Sequence, residues 1–384
     1  MGFGLKKEVQ GELASDYHSA LVNDIRAAGN TLQRGRITIH LAKEFGFCYG
    51  VDKAVDFAYE TRKQFPGKRI FLTTEIIHNP MVNNRLQEMG IRFLNGQYRA
   101  EHGFEDIAPE DVVILPAFGT TTTELEELKK KGCILVDTTC GSVINVWMRV
   151  EKYSKNGFTA VIHGKYSHEE TKGTSSRALK YPGGRYLVVR DKPQAQRVID
   201  YIAHGGDAAE FLKEFAPAVS PDFDPDRDLT SVGIANQTTM LSSESMEIAA
   251  MFREAMTHKY GANALAEHFQ NFDTICSATQ DRQDAVLDLL KSGIDRMIVI
   301  GGYNSSNTEH LCEIASAVMP AFHIQDAGDI LSAEQISHRD PLSHSIITSA
   351  SWLAAGPVAV GVTAGASTPN RVIGEVVEKI FACR

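Results

Sequence analysis

One pattern recurs along this chain and limits what it can fold into. A short β-branched run is followed by a loop of Gly, Ser, Thr, His or Asn, and then by an amphipathic helix. RITIHLA leads through FGFCYG into VDKAVDFAYETRKQF, RIFLTTEII through HNP into MVNNRLQEMG, and DVVILPAF through GTTT into TELEELKKKG. CILVD leads through TTCGS into VINVWMRVEKYSKNG, and TAVIHG through KYSHEETKGT into a less regular segment. Further on, SVGIA with NQTT, FDTI with CSATQ, RMIVIGG with YNSSN and VAVGV with TAGASTP each precede a helix. Strands alternating with helices imply an α/β architecture with mostly parallel sheets. Nearly ten such units are too many for one sheet of ordinary size, so several small sheets are expected.

Two stretches fall outside the pattern. Residues 1–35 are polar and helix-compatible, with Leu21, Ile25 and Leu32 on a loose stripe, and read as an appended helical extension. Residues 183–230 contain GG, PAVSPDFDPD and many charges, and read as a partly helical surface insertion. A chain of 384 residues implies two or three domains. The expected division is the extension 1–35, a first α/β domain 36–140, a second 141–271 carrying the insertion, and a third 272–384. The first strand, about 36–49, could join the third domain's sheet.

The net charge of −9 argues against a general nucleic-acid binder or a polybasic membrane binder. No apolar run reaches the roughly 18 residues needed to span a bilayer. The start, MGFGLKKEVQGELASDYHS, has no apolar signal core and contains acids. Six cysteines in so long a chain, with no CxxC pair, are no disulfide framework. A cytoplasmic protein with reduced thiols is expected, and any metal site must gather ligands far apart in sequence.

Ligands of open α/β sheets bind beyond the carboxyl ends of the strands. The chemistry-bearing residues fall there: Cys48, His78, Cys140, His168, Glu170, Gln237, Thr238, Cys276, Ser305, Ser306, Asn307 and Ser367. Cys48 in FGFCYG, Cys140 in DTTCGS and Cys276 in FDTICSATQ each follow a strand and precede a helix. A helix N-terminus favours thiolate, the form that binds soft metals and iron–sulfur clusters. Three unrelated buried thiols are the other reading of this spacing. Cys133, Cys312 and Cys383 read as structural.

YNSSNT and TAGASTPN supply hydroxyls, amides and backbone N–H groups at helix starts, a neutral cradle for an anion such as phosphate. Within the second, Thr368 followed by Pro369 fits an N-cap and a first-turn proline. Ordinary capping would need only one such residue per helix. His78 and His168 are candidate proton donors or phosphate contacts. Glu170, two residues past His168, is close enough to share acid–base work. Gln237 and Thr238 could orient a substrate, relay a proton or cap a helix. GxGxxG, the P-loop and HExxH are all missing.

Taken together, GFCYGV, EIIHNP, VDTTCGSV, HGKYSHEETKGT, NQTT, ICSATQDRQ, GGYNSSNT and VTAGASTP, spread from about residue 36 to residue 382, resemble the 4-hydroxy-3-methylbut-2-enyl diphosphate reductase family in its plant and cyanobacterial form. The resemblance implies three small α/β domains arranged pseudo-three-fold around a central [4Fe–4S] cluster. There would be one cluster per chain, held by Cys48, Cys140 and Cys276, with one iron left open. It implies two-electron reductive dehydroxylation of the allylic diphosphate to isopentenyl and dimethylallyl diphosphate, the last step of the methylerythritol phosphate route. Glu170 matches the family's proton-delivering glutamate, and Thr238 the threonine near the substrate hydroxyl. His78, His168, Ser305, Ser306, Asn307 and Ser367 match the diphosphate pocket, with Gln237 a polar neighbour. His168 thus counts with both the catalytic and the substrate-binding residues. Ferredoxin or flavodoxin is the implied electron donor. Phe118, in LPAFGTT, stands where many members carry histidine, so a diphosphate donor is missing there or replaced by another side chain. A zinc hydrolase using the three cysteines and a non-catalytic phosphometabolite-binding protein are the competing readings.

Overall fold

The structure, a computed structural model, describes residues 3–99, 102–272, 274–353 and 355–383. The chain forms two compact units, Met1–His102 with Ser277–Arg384, and Gly103–Cys276.

The first unit is built on a seven-stranded sheet. Its strands run in the order Thr31–Arg34, Ile37–Leu41, Val358–Ala364, Arg296–Ile300, Ala321–Ile324, Gln335–Arg339 and Ile346–Ala350. The four strands from Ile37–Leu41 to Ala321–Ile324 are parallel, and antiparallel strands extend the sheet at both edges. The inner strands are near-continuous apolar runs because helices cover both faces of a parallel sheet. Ile39, Ile298, Val299 and Val362 are fully buried, and Ile373 and Val377 of helix Asn370–Ala382 pack in the same core. A short parallel pair, Ile70–Leu72 with Ile91–Phe93, belongs to this unit too.

Residues 1–35 are not an appendage. Helices Lys6–Tyr17 and Ala20–Ala27 bury Val9, Leu13, Tyr17, Val22 and Ile25, and Val22 and Ile25 belong to the sheet's core. Leu21 and Leu32 pack against that core while partly exposed. The stretch ends in strand Thr31–Arg34, which pairs with Ile37–Leu41. The loose apolar stripe seen in sequence is therefore the face of a core element.

The second unit holds a four-stranded parallel sheet in the order Phe269–Asn271, Val232–Asn236, Thr159–His163, Tyr186–Val189. Strands Val112–Leu115 and Ile134–Asp137 form a parallel pair in the same unit. The stretch 183–230, expected as a surface insertion, contributes edge strand Tyr186–Val189 and helices Lys192–His204 and Ala208–Phe215. Leu187, Val189, Val198, Phe211 and Phe215 are buried in the unit's core. Its charges hid this, because they occupy the outer faces of amphipathic helices. The run FDTI shifts as well: the strand is Phe269–Asn271, and Phe272, Thr274 and Ile275 have left the ladder before Cys276.

Gly233, in central strand Val232–Asn236, lies under the Tyr153 ring, where a Cβ would fall 2.5 Å from ring carbons. The Tyr153 hydroxyl donates to the Ile234 carbonyl at 2.7 Å, so the ring cannot swing aside without losing that bond. Gly233→Ala is expected to destabilise the protein by about 1–3 kcal/mol, the usual scale of overpacking. A denaturation midpoint equal to wild type would show that the ring yields.

Candidate active site

Strand Thr159–His163 delivers the loop KYSHEET, and strand Val232–Asn236 delivers NQTT beside it. The Gln237 side chain stitches the two together. Its Oε1 accepts the Lys165 N–H at 3.1 Å and the Thr171 hydroxyl at 3.1 Å, and its Nε2 donates to Thr239 Oγ1 at 2.8 Å. Neither Gln237 nor Thr238 caps the next helix, Ser242–Tyr260, whose N-cap position is Leu241.

Glu170 stands in the first turn of helix Glu169–Ala178 and is 2% exposed. Oε1 accepts the Thr238 N–H at 2.6 Å and Oε2 accepts the Thr238 hydroxyl at 3.0 Å. Burial raises this carboxyl to about 7, against the opposing pull of the two Thr238 bonds. His168 caps the same helix, its Nδ1 accepting the Glu170 N–H at 3.1 Å. That role needs an unprotonated Nδ1, which assigns the proton of the neutral ring to Nε2. Phe118 packs edge-to-face against His168 with ring centroids 5.9 Å apart. An aromatic contact thus occupies the position where the resemblance implied a donor.

The raised carboxyl has a consequence for stability. The folded state holds the Glu170 proton more tightly than the unfolded chain, whose carboxyl titrates near 4.5. The stabilising contribution is complete below that value and is lost as pH rises through about 7. Glu170→Gln mimics the protonated form. Its melting temperature is expected to gain on wild type between these two pH values and to hold a constant lead above them. A pH-independent difference would contradict this assignment.

In the first unit, helix Ser306–Ser316 opens directly beyond strand Arg296–Ile300. Ser305 is its N-cap, accepting the Thr308 N–H at 3.3 Å, and Ser305, Ser306 and Asn307 are all buried. Asn307 Oδ1 accepts the Ala366 N–H at 2.9 Å, which ties YNSSN to the loop carrying Ser367. The Asn307 Nδ2 donor is buried with no hydrogen-bond partner. An unpaired buried donor at a helix N-terminus is costly unless an acceptor fills the place, and suits an anion. Thr368 does not cap the last helix as its sequence suggested. Its hydroxyl donates to the Ile300 carbonyl at 3.0 Å, and Pro369 takes the N-cap position of Asn370–Ala382.

His78 donates through Nδ1 to Glu75 Oε2 at 2.9 Å, and Glu75 also accepts Gln97 Nε2 at 2.7 Å. Sequence reading missed Glu75, although a carboxylate three residues before a loop histidine is a visible signal. The His78 carbonyl passes so close to Gly302 that a Cβ there would lie 2.4 Å from it, which sets EIIHNP beside YNSSN.

The three candidate cysteines follow strands of three different sheets: Ile37–Leu41, Ile134–Asp137 and Phe269–Asn271. Cys48 and Cys140 occupy the N-cap positions of Tyr49–Gln64 and Gly141–Lys155 without capping through their side chains. Gly46 explains the glycine ahead of Cys48. It has φ +76°, and a Cβ would fall 3.2 Å from the Thr368 carbonyl. Thr274 ties the segment before Cys276 to strand Val232–Asn236 through the Asn236 side chain and its N–H. Cys48, Cys140 and Cys276 are half-buried and outside any disulfide. Burial pushes the Cys312 thiol up to about 11 and raises Cys133 as well. Thiols held protonated are poor ligands for a soft metal, so the donor chemistry counts against these two. Among the described residues, no group of three His, Cys, Asp or Glu side chains stands assembled to hold a metal ion.

A buried carboxyl raised to about 7, just beyond a strand of a parallel sheet, marks an α/β enzyme. Comparison with known proteins narrows the class. The chain belongs to the LytB protein family, whose profile matches residues 39–381. It is 54% identical to the 4-hydroxy-3-methylbut-2-enyl diphosphate reductase of Gloeobacter violaceus, over 99% of this chain and 91% of that one. The enzyme of the same name from a Nostoc species is 52% identical, over 100% of this chain and 94% of its own length. A solved structure of (E)-4-hydroxy-3-methyl-but-2-enyl diphosphate reductase, the terminal enzyme of the non-mevalonate pathway, is 26% identical with TM-score 0.53, covering 90% of this chain and 99% of that one. The Plasmodium falciparum reductase structure, 22% identical with TM-score 0.62 over 88% of this chain and 86% of that one, shares the fold. No helix among the described residues is long and apolar enough to cross a membrane.

Proposed function

We propose that this chain, an oxidoreductase of the LytB family, converts (E)-4-hydroxy-3-methylbut-2-enyl diphosphate to isopentenyl and dimethylallyl diphosphate, the last step of the methylerythritol phosphate route. The reaction removes the substrate hydroxyl as water and consumes two electrons and two protons. The observation that carries this reading is Glu170, buried, raised to about 7 and bonded twice to Thr238. A carboxyl near neutrality can hold a proton and release it in turnover. Glu170 Oε2 holds that proton, and Thr238 Oγ1, 3.0 Å away, passes it toward the leaving hydroxyl.

A [4Fe–4S] cluster held by Cys48, Cys140 and Cys276 would supply the electrons and, at the iron without a protein ligand, a Lewis acid. Ser305, Ser306, Asn307, Ser367, His78 and His168 bind the diphosphate. The serine hydroxyls and the Asn307 amide among them are uncharged donors and hold the anion without a fixed ion pair. Gln237 positions the KYSHEET loop, and Glu75 orients His78. The electron donor is a ferredoxin or flavodoxin.

Anaerobic turnover of the allylic diphosphate by reconstituted protein and a reduced donor tests the reading. Protein with full iron and sulfide that forms neither product would overturn it. Asn307→Ala removes the buried donor and is expected to raise KM about tenfold, the equivalent of one hydrogen bond of about 1.4 kcal/mol. An unchanged KM would place the diphosphate elsewhere.

A further inference from the structure

The loop YNSSN is held from behind by a part of the sheet to which neither the sequence motifs nor the proposed mechanism assigns a task. Every polar group of Tyr303 is tied to the segment between Gln325 and Arg339, which joins and includes the outer strand Gln335–Arg339. Its N–H donates to Gln325 Oε1 at 3.5 Å, its hydroxyl donates to Asp329 Oδ2 at 3.0 Å, and its carbonyl accepts Arg339 Nη1. The Tyr303 ring also packs against His323, with centroids 5.2 Å apart. His323 in turn donates through Nε2 to the Gly301 carbonyl at 3.0 Å, two residues before Tyr303. Asp329 closes the arrangement by accepting the Gln325 N–H at 2.7 Å.

Arg339 links this back to the helix that the loop opens. It ends strand Gln335–Arg339, in the antiparallel hairpin with Ile346–Ala350. Its Nη1 lies 3.7 Å from Glu309 Oε2, a carboxylate 6% exposed in the first turn of Ser306–Ser316. Glu309 also faces His344 Nδ1 at 3.3 Å, from the hairpin's turn. One guanidinium therefore holds both the carbonyl before Asn304-Ser305 and the first turn after it. Nη1 makes both of these contacts while Nε donates to the His344 carbonyl at 3.3 Å, so two nitrogens fixed in one plane join the loop to the hairpin turn, which the single nitrogen of a lysine cannot imitate.

We propose that Arg339, acting with Tyr303, is a positioning residue of the diphosphate cradle: it fixes the loop 303–307 so that the Ser305, Ser306 and Asn307 donors converge before substrate arrives. The proposal rests on the reading of this loop as the diphosphate site. Preorganised donors do not spend binding free energy on ordering the loop, so loosening the loop weakens affinity while leaving the proton-transfer groups in the other unit intact.

The test compares Arg339→Ala, Arg339→Lys and Asn307→Ala in cluster-reconstituted protein with the allylic diphosphate. Arg339→Ala is expected to raise KM about tenfold with kcat within about twofold, from the loss of roughly one charge-assisted hydrogen bond. Added guanidinium at millimolar concentration should recover part of the loss, and Arg339→Lys should recover little. Thermal melting is recorded beside it. A lowered melting temperature with unchanged KM, or a loss that guanidinium does not relieve, would overturn the proposal and leave Arg339 a structural residue. If Asn307→Ala also leaves KM unchanged, it is the location of the diphosphate site that fails. If Asn307→Ala raises KM and Arg339→Ala does not, only the positioning role fails. Should Arg339→Ala not fold, Tyr303→Phe, which removes only the hydroxyl bond to Asp329, is expected to raise KM about threefold, and wild-type KM in that variant would overturn the proposal.

Discussion

Replacing Cys48, Cys140 or Cys276 singly by serine is expected to abolish iron–sulfur content and reduce turnover to background. The complement before mutation should be about four irons and four acid-labile sulfides per chain. A serine hydroxyl does not ionise near neutrality, so it cannot replace a thiolate ligand. Cys133→Ser and Cys312→Ser serve as controls. Their thiols are raised by burial, Cys312 to about 11, and both variants should keep the metal. The measurement is iron and sulfide analysis of protein purified without oxygen, with turnover assayed on the same samples. Iron retained by a serine variant removes that cysteine from the ligand set. Zinc without sulfide would favour the hydrolase reading, and the anion cradle would then serve a different reaction.

How much of this was legible in the sequence depends on the range of the interaction. The strand runs ITIHL, VVIL, ILVD, TAVIH, VGIAN and RMIVI were all visible, because burial between two helical layers demands consecutive apolar residues. The position of the reactive groups was visible too, since strand ends and helix starts are local signals. Three features could not be read. The N-terminal helices looked detachable because their apolar stripe is loose, yet Val22 and Ile25 lie in the main core. The strand at Tyr186–Val189 was masked by the charged helices that follow it. Thr368 looked like a cap because local chemistry allows it, but a neighbouring strand's carbonyl took its hydroxyl. Pairings across tens of residues escaped for the same reason. Glu170 with Thr238, Asn307 with Ala366 and Arg339 with Tyr303 are set by sheet order, which motif spacing does not encode.

Glu170→Gln isolates the proton from the rest of the site. The amide oxygen can still accept the Thr238 N–H, and the amide nitrogen can donate to the Thr238 hydroxyl, so the loops should stay in register. Iron, sulfide and KM are expected near wild type, with kcat lower by roughly 10²-fold or more, the usual scale of acid–base assistance. The sign of the pH effect follows from the role: a donor works protonated, so wild-type kcat/KM should fall as pH rises through about 7. Glu170→Gln should lose that limb. Thr238→Val separates tuning from relay. Removing the hydroxyl bond, which lowers the Glu170 carboxyl, moves the inflection to higher pH. If Thr238 Oγ1 also carries the proton, kcat falls together with this shift; if it only tunes Glu170, the inflection moves while the plateau at low pH stays at the wild-type value.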